Sequence, residues 1–210
     1  MNDGNEGMNR IAKPLAREGM GNRPSNTPAP SAELFKIAVI MTGGTIAKTY
    51  DLRKAVLRNV DPVIKRLIRS LRLEGAKVSF KELMRKDSLD LDQDDRARIV
   101  ETVQTAIKRN SAVVIIHGTD TLSATGEALL AAMAAPTVPI ILTGAMAPFV
   151  VEGSDGLQNV TEALFACRLL APGIYAVFHG RALAFPRVIK DRDALTFVPS
   201  PNALIGESKP

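Results

Sequence analysis

Ile37-Ala-Val-Ile-Met-Thr-Gly-Gly-Thr-Ile-Ala-Lys48 decides how this chain folds. Ile37 to Met41 is an unbroken apolar run, the pattern of a strand buried on both faces. It runs into two hydroxyls separated by two glycines, and Gly-Gly gives a sharp turn with little side-chain bulk. Such a turn brings backbone N–H groups and a threonine oxygen close to whatever lies above the sheet edge. Alone it reads as a strand-to-helix connection. Two further segments share the design: Val113-Val-Ile-Ile-His-Gly-Thr-Asp-Thr121 and Ile140-Ile-Leu-Thr-Gly-Ala-Met-Ala-Pro148. Three buried strands that each end in a Thr/Gly turn are hard to ascribe to packing.

Working outward, strands and helices alternate. Asp61-Pro62 is a helix start and Gly75 a helix stop, with Val63, Ile64, Leu67, Ile68 and Leu71 on the apolar stripe between them. Ala76–Leu83 alternates loosely and reads as a strand. A second helix begins after Leu91, where Asp92 and Asp95 suit the positive end of the helix dipole, and it carries Ile99, Val100, Val103 and Ile107 on one stripe. Ala112–Ile116, Pro139–Leu142 and Gly173–Phe178 read as strands, and Leu122–Ala134 and Asp155–Leu170 as helices. From Arg181 onward the pattern is less regular, and Phe185-Pro186 and Pro199-Ser-Pro201 argue for an edge strand or loop. The alternation predicts an α/β fold of three layers, a mainly parallel sheet covered by helices on both faces. Ligands in such folds bind beyond the carboxyl ends of the strands. Thr42–Thr45, Asp87-Ser88, Gly118–Asp120 and Thr143–Ala145 all follow a strand and so converge on one edge.

Composition narrows the function classes. The chain has 210 residues, 46% hydrophobic, and no apolar run near the ~18 residues of a membrane span, so no membrane role is expected. One cysteine, Cys167, excludes an internal disulfide and favours a reducing, cytoplasmic compartment. Two histidines and that cysteine lack the clustered spacing of a metal site. Residues 1–33 read as a disordered extension without a signal-peptide core, 34–200 as the folded domain and 201–210 as a flexible tail. Between Lys48 and Lys86, twelve Lys/Arg face four acidic residues, a local excess of eight. Lys65, Arg66, Arg69 and Arg72 fall between the apolar stripe positions, however, and no aromatics are interleaved. The charge therefore reads as a solvated helix face, and nucleic acid is not an expected partner.

The candidate chemistry is built from Thr45, Thr119, Asp120 and a cation. A threonine hydroxyl is a poor nucleophile until something takes its proton. A lysine amine could take it only when neutral, whereas a carboxylate beside a lysine holds it charged, able to orient groups or relay protons. Asp120 next to Thr119 puts a carboxylate and a hydroxyl on one turn, and the glycine N–H groups offer an oxyanion hole. No nucleophile-elbow motif supports a Ser-His-Asp triad, and His117 reads as a structural residue that ends its strand with a hydrogen bond to backbone.

At these residues the chain resembles the bacterial-type L-asparaginase family. The resemblance rests on Thr42-Gly-Gly-Thr-Ile46, His117-Gly-Thr-Asp-Thr-Leu122, Thr143-Gly-Ala-Met146, and Ser154-Asp-Gly156 with Asn159. It covers Lys36 to Phe197, which in that family is the amino-terminal, Rossmann-like catalytic domain. The smaller carboxyl-terminal domain has no counterpart, so the expectation is the short, single-domain branch. What the resemblance implies is hydrolysis of L-asparagine to ammonia and L-aspartate, with no cofactor and no metal. Thr45 corresponds to the nucleophile, Thr119, Asp120 and Lys190 to the second Thr-Asp-Lys group, and Tyr50 to the loop tyrosine that contacts the nucleophile. Ser88 corresponds to the serine holding the substrate α-carboxylate, Asp120 also faces the α-amino group, and Ala145 offers a backbone carbonyl to the carboxamide. The family builds its sites at subunit interfaces, so a homodimer or homotetramer is expected. Glutamine, one methylene longer, is the competing substrate.

Three departures carry consequences. Leu89 stands where longer members often have a polar residue beside the serine. The family's acidic residue from a neighbouring protomer's second domain has no counterpart. The basic stretch Arg53–Arg58 replaces a Gly-Ser-rich lid. A lost hydrogen-bond partner in such a pocket costs about 1–3 kcal/mol. Two other readings compete: a catalytically weak amino-acid-binding regulator, and an amidase component of a larger complex such as a tRNA-dependent amidotransferase.

Overall fold

The computed structural model describes residues 33–58 and 63–201. The expectations for the first 32 residues, for Asp61-Pro62 and for residues 202–210 lie outside the described residues.

The stretch that opens the domain becomes β1 (Phe35–Gly43), and every residue from Ile37 to Gly43 is buried. Its side chains alternate between two cores, as a strand's period of two requires. Ile37, Val39 and Met41 pack with Ile64, Leu67 and Ile68 of α1 (Val63–Ser70) and Val160 and Leu164 of α4 (Gly156–Ala166). Ala38 and Ile40 join the other core with Ile99 and Val103 of α2 (Gln93–Ala106) and Leu122 and Leu129 of α3 (Leu122–Ala132). Two helices on each face of a sheet make the three layers, and Lys65, Arg66 and Arg69 are left outside the α1 core stripe.

Six strands form that sheet: β4 (Ala76–Lys86), β1, β5 (Ala112–Ile116), β6 (Pro139–Thr143), β7 (Gly173–Phe178) and β8 (Arg181–Ala184), in this spatial order. The first five run parallel, and β8 closes the edge antiparallel to β7. From β1 the chain crosses to β4 on one side, then to β5 on the other side of β1. The strand order thus reverses between β1 and β5, the topological switch point at which α/β sheets open a crevice.

Two small hairpins complete the domain. β2 (Thr49–Asp51) pairs with β3 (Val56–Arg58), and β9 (Val188–Asp191) with β10 (Thr196–Pro199). The irregular tail expected after Arg181 is therefore an edge strand, a cis Phe185–Pro186 bond and a hairpin. The helix expected to stop at Gly75 stops at Ser70 instead. Leu71 and Leu73, two residues apart, both pack on the α1/α4 core, and a helix cannot place i and i+2 on one face. Gly75, with φ of 65°, serves the turn into β4.

Candidate active site

Four turns meet at the carboxyl edge around the switch point, and glycines set how closely. Gly44 (φ 85°, ψ 175°) leads into a single 3-10 turn, Thr45–Ala47, and a Cβ built on it would stand 2.5 Å from the Gly118 Cα. A Cβ on Gly118 would in turn stand 2.6 Å from the Ser88 Cβ, and one on Gly144 would stand 2.2 Å from the His117 carbonyl oxygen. Turns after β1, β4, β5 and β6 therefore touch through backbone, and hydrogen bonds stitch them together. The Thr42 hydroxyl donates to the Ile116 carbonyl (3.0 Å), joining the ends of β1 and β5.

Ser88 is only 1% exposed, and its Oγ accepts from the Asp120 N–H (3.2 Å). The Thr121 hydroxyl donates to the Ser88 carbonyl (2.7 Å). Thr121 is the N-cap of α3, yet its hydroxyl makes no capping bond. A cap contributes about 1 kcal/mol to a helix, and here that hydroxyl serves the turn that holds Ser88.

Lys190 reaches this edge from β9. Its Nζ donates to the Thr119 Oγ1 (2.7 Å) and lies 3.0 Å from the Asp120 Oδ1, with both charged side chains largely buried. Opposite Lys190 in the hairpin is Phe197, 1% exposed, its ring centroid 4.5 Å from that of Phe178. Phe197 seats the hairpin on the core and so aims Lys190 at the turn after β5. Because Lys190 Nζ can only donate, the Thr119 oxygen accepts, and the threonine hydrogen is free to serve another acceptor. Lys190 thus sits beside a carboxylate, the arrangement suited to orienting groups and relaying protons. Arg192 adds a second cation on the same Asp120 oxygen at 3.2 Å. Among the described residues the backbone N–H groups of Thr45 and Thr119 donate to no acceptor, nor does the Thr45 hydroxyl.

On the other flank Lys48 donates from Nζ to Asp87 Oδ2 at 2.6 Å, tying the turn after Thr45 to the residue before Ser88. That bond holds the Asp87 carboxyl below the usual carboxylate range, against the opposing effect of its partial burial. Beneath the edge His117 is fully buried. Its Nδ1 contacts the Gly118 carbonyl (2.7 Å) and its Nε2 the Thr125 hydroxyl (2.9 Å). A carbonyl only accepts, so Nδ1 carries the proton, and burial lowers the imidazole pKa to about 4. His117 is a neutral strut beneath the turn after β5, bonded to its Gly118 carbonyl.

Sequence comparison decides the family: the domain family described as Asparaginase, N-terminal matches residues 36–202. The chain belongs to the asparaginase family. An L-asparaginase of Thermococcus kodakarensis is 37% identical over 158 residues, which cover 74% of this chain and 48% of that protein. The solved thermostable L-asparaginase of T. kodakarensis superposes with a TM-score of 0.73 at 32% identity, covering 78% of this chain and 51% of the other. A component of the glutamyl-tRNA(Gln) amidotransferase of Methanococcus maripaludis is 30% identical over 70% of this chain and 36% of its own length. The chain spans about half or less of the length of these relatives.

Within this asparaginase domain the structure brings Thr119, Asp120, Lys190 and Ser88 into one hydrogen-bonded group. It sets the turns of Thr45 and Ala145 directly against that group through Gly44 and Gly144. Tyr50 stands apart on β2, opposite Leu57 and 56% exposed, and its hydroxyl has no hydrogen-bond partner among the described residues. Leu89 is exposed beside Ser88. Cys167 is buried in the α1/α4 core, and burial pushes its thiol up to about 12, as a packing residue requires. The sequence reading missed Arg192 and the pairing of Lys48 with Asp87. Arg192 stands in the turn that follows β9, where no strand periodicity marks it. Among the described residues no cluster of His, Cys, Asp or Glu could hold a metal ion, and no helix is long and apolar enough to cross a membrane.

Proposed function

We propose that this asparaginase-family chain hydrolyses the side-chain amide of L-asparagine with Thr45 as nucleophile. The observation that carries the reading is the Lys190–Thr119–Asp120 group, partly buried at the switch point against the turn that bears Thr45. Thr45 Oγ attacks the carboxamide carbon, whose oxygen takes the free N–H groups of Thr45 and Thr119. The carbon–nitrogen bond breaks, and ammonia leaves with the hydrogen that the Thr45 hydroxyl gave up. The resulting β-aspartyl ester is cleaved by water, which returns a hydrogen to Thr45 and releases L-aspartate. Lys190 fixes the Thr119 hydroxyl and Asp120 during both steps, and the free Asp120 oxygen receives the substrate ammonium. Ser88 and the Ala145 carbonyl hold the α-carboxylate and the carboxamide, and Tyr50 reaches Thr45 when the β2–β3 hairpin folds over the edge.

A homodimer or homotetramer in the cytoplasm belongs to the same reading. A second reading, the amidase component of a larger complex, draws on the relative that belongs to a glutamyl-tRNA(Gln) amidotransferase. The test is ammonia release from L-asparagine and L-glutamine by the purified chain and by Thr45→Ala. The expected result is turnover of asparagine that falls about a thousandfold or more in the variant, a barrier change of about 4 kcal/mol. No release from either amide up to millimolar concentration overturns the free-standing enzyme. Turnover gained only with a co-purifying partner or RNA selects the second reading.

A further inference from the structure

Away from the reacting edge, one cluster of polar side chains has no part in the chemistry just described. Asp155 precedes α4 and is its N-cap, yet its carboxylate makes no capping bond. The carboxylate accepts from the backbone N–H groups of Met146 (3.0 Å) and Ala147 (3.2 Å) and from the Asn159 Nδ2 (2.8 Å). Asn159, fully buried, also donates to the Gly144 carbonyl (3.0 Å). Asp155 and Asn159 thus fix the turn after β6, Gly144 to Ala147, from behind. Burial opposes ionisation of Asp155, but the Met146 and Ala147 donors and His179 outweigh it and hold the carboxyl below its ordinary range.

The other end of this cluster is His179, just after β7. Its Nε2 lies 3.0 Å from the Asp155 Oδ2 and its Nδ1 lies 2.9 Å from the Thr196 hydroxyl on β10. Its own N–H donates to the Asn159 Oδ1 (3.1 Å), and its backbone is left-handed, with φ of 51°. A non-glycine residue in that region costs about 1 kcal/mol or more and persists only where its surroundings demand it. Here the demand is visible: the left-handed turn lets one residue meet Asn159 through backbone and Asp155 and Thr196 through its ring. A carboxylate only accepts, so Nε2 carries a proton, and the Thr196 hydroxyl, able to donate or to accept, bonds Nδ1 in either state of the ring. Thr196 pairs with Asp191, the neighbour of Lys190 in β9.

We propose that His179 is a positioning residue: by bridging Asp155 to Thr196 it fixes the Lys190-bearing hairpin relative to the Gly144–Ala147 turn. The inference rests on the amidase reading for its catalytic consequence, but its structural half stands alone. Phe197 supplies the apolar seat of the hairpin. The bridge supplies its direction, and without it Lys190 loses its fixed approach to Thr119.

The clean break is Thr196→Val, which keeps the side-chain shape and deletes the hydroxyl. His179→Asn, which tolerates the left-handed backbone and is too short to reach both partners, is the second variant. Two quantities are read: amide hydrogen exchange across β9–β10 against β1 and β5, and kcat and KM for asparagine. Both variants are expected to speed hairpin exchange about tenfold with β1 and β5 unchanged, the loss of about one hydrogen bond. Both are also expected to lower kcat about fivefold while KM stays within about twofold. Unchanged hairpin exchange overturns the bridge, as does exchange that quickens equally in β1 and β5. Local quickening with unchanged kcat overturns the positioning role. If the wild-type chain shows no turnover, the amidase reading falls, and the exchange data still decide whether the bridge fixes the hairpin.

Discussion

The backbone that enters Thr45 and the backbone that leaves it are built in opposite ways. On the entering side Ile37 to Gly44 is buried, and Gly43 and Gly44 lie so close to Lys86 and Gly118 that neither position has room for a methyl group. On the leaving side the β2–β3 hairpin exposes apolar side chains, with Leu52 at 87% and Val56 and Leu57 both near half. Lys48 to Asp87 is the ion pair that ties its base to the domain, and Arg58 to Asp51 closes it on itself. In the nucleophile role proposed for it, Thr45 would hold its approach geometry against the fixed wall while the loosely packed flap yields to substrate. The low-stability elements of an enzyme are drawn from such poorly buried segments.

One substitution each probes the wall, the floor beneath it and the flap. The largest effect is expected at the wall. Gly44→Ala puts a Cβ 2.5 Å from Gly118 and asks alanine to adopt a φ and ψ that only glycine accepts. Denaturant unfolding should show a loss of about 3 kcal/mol or more, with ammonia release abolished. A variant as stable as wild type would show that the turns are not locked together.

The floor is His117, and it makes the wall sensitive to acid. Its folded-state pKa of about 4 lies below the ordinary 6.5, so between these values the unfolded chain binds a proton that the folded chain refuses. The contribution is complete above pH ~6.5 and is lost as pH falls towards ~4, amounting to about 3 kcal/mol. His117→Gln should flatten the difference in unfolding free energy between pH 7 and pH 4 by about that amount. An unchanged slope would mean that the imidazole is protonated in the folded state.

The smallest change in stability is expected at the flap. Tyr50→Phe should alter the unfolding free energy by less than about 0.5 kcal/mol, because nothing among the described residues bonds the hydroxyl. The same variant should lower kcat about tenfold if the hydroxyl meets Thr45 in the closed state. A large stability loss would show the hairpin to be part of the wall.

These three places also differ in how legible they were in the sequence. Apolar runs with turn residues at their ends marked β1, β5, β6 and β7, since a strand buried on both faces has no polar side to vary. Asp92 and Asp95 marked α2, and they form a reciprocal cap, Asp92 accepting from the Asp95 N–H at 2.8 Å. The hairpins were not legible. β9 and β10 have four residues each, too few for a period to show, and Leu195 turns between them with φ of 49°. Lys190 entered the candidate site through family resemblance, and what brings it to Thr119, Phe197 seated on Phe178, emerges only in three dimensions. Arg192, His179 and Thr196 carried no local pattern, because their partners lie far away along the chain.

The sequence by itself determined the layer order, the buried strands and the glycine turns that end them, since burial and backbone freedom are local demands on each residue. Tertiary structure decided which hydroxyl meets which cation, because Lys190 and Thr119 lie 71 residues apart and only the seating of one hairpin on the core brings them to 2.7 Å.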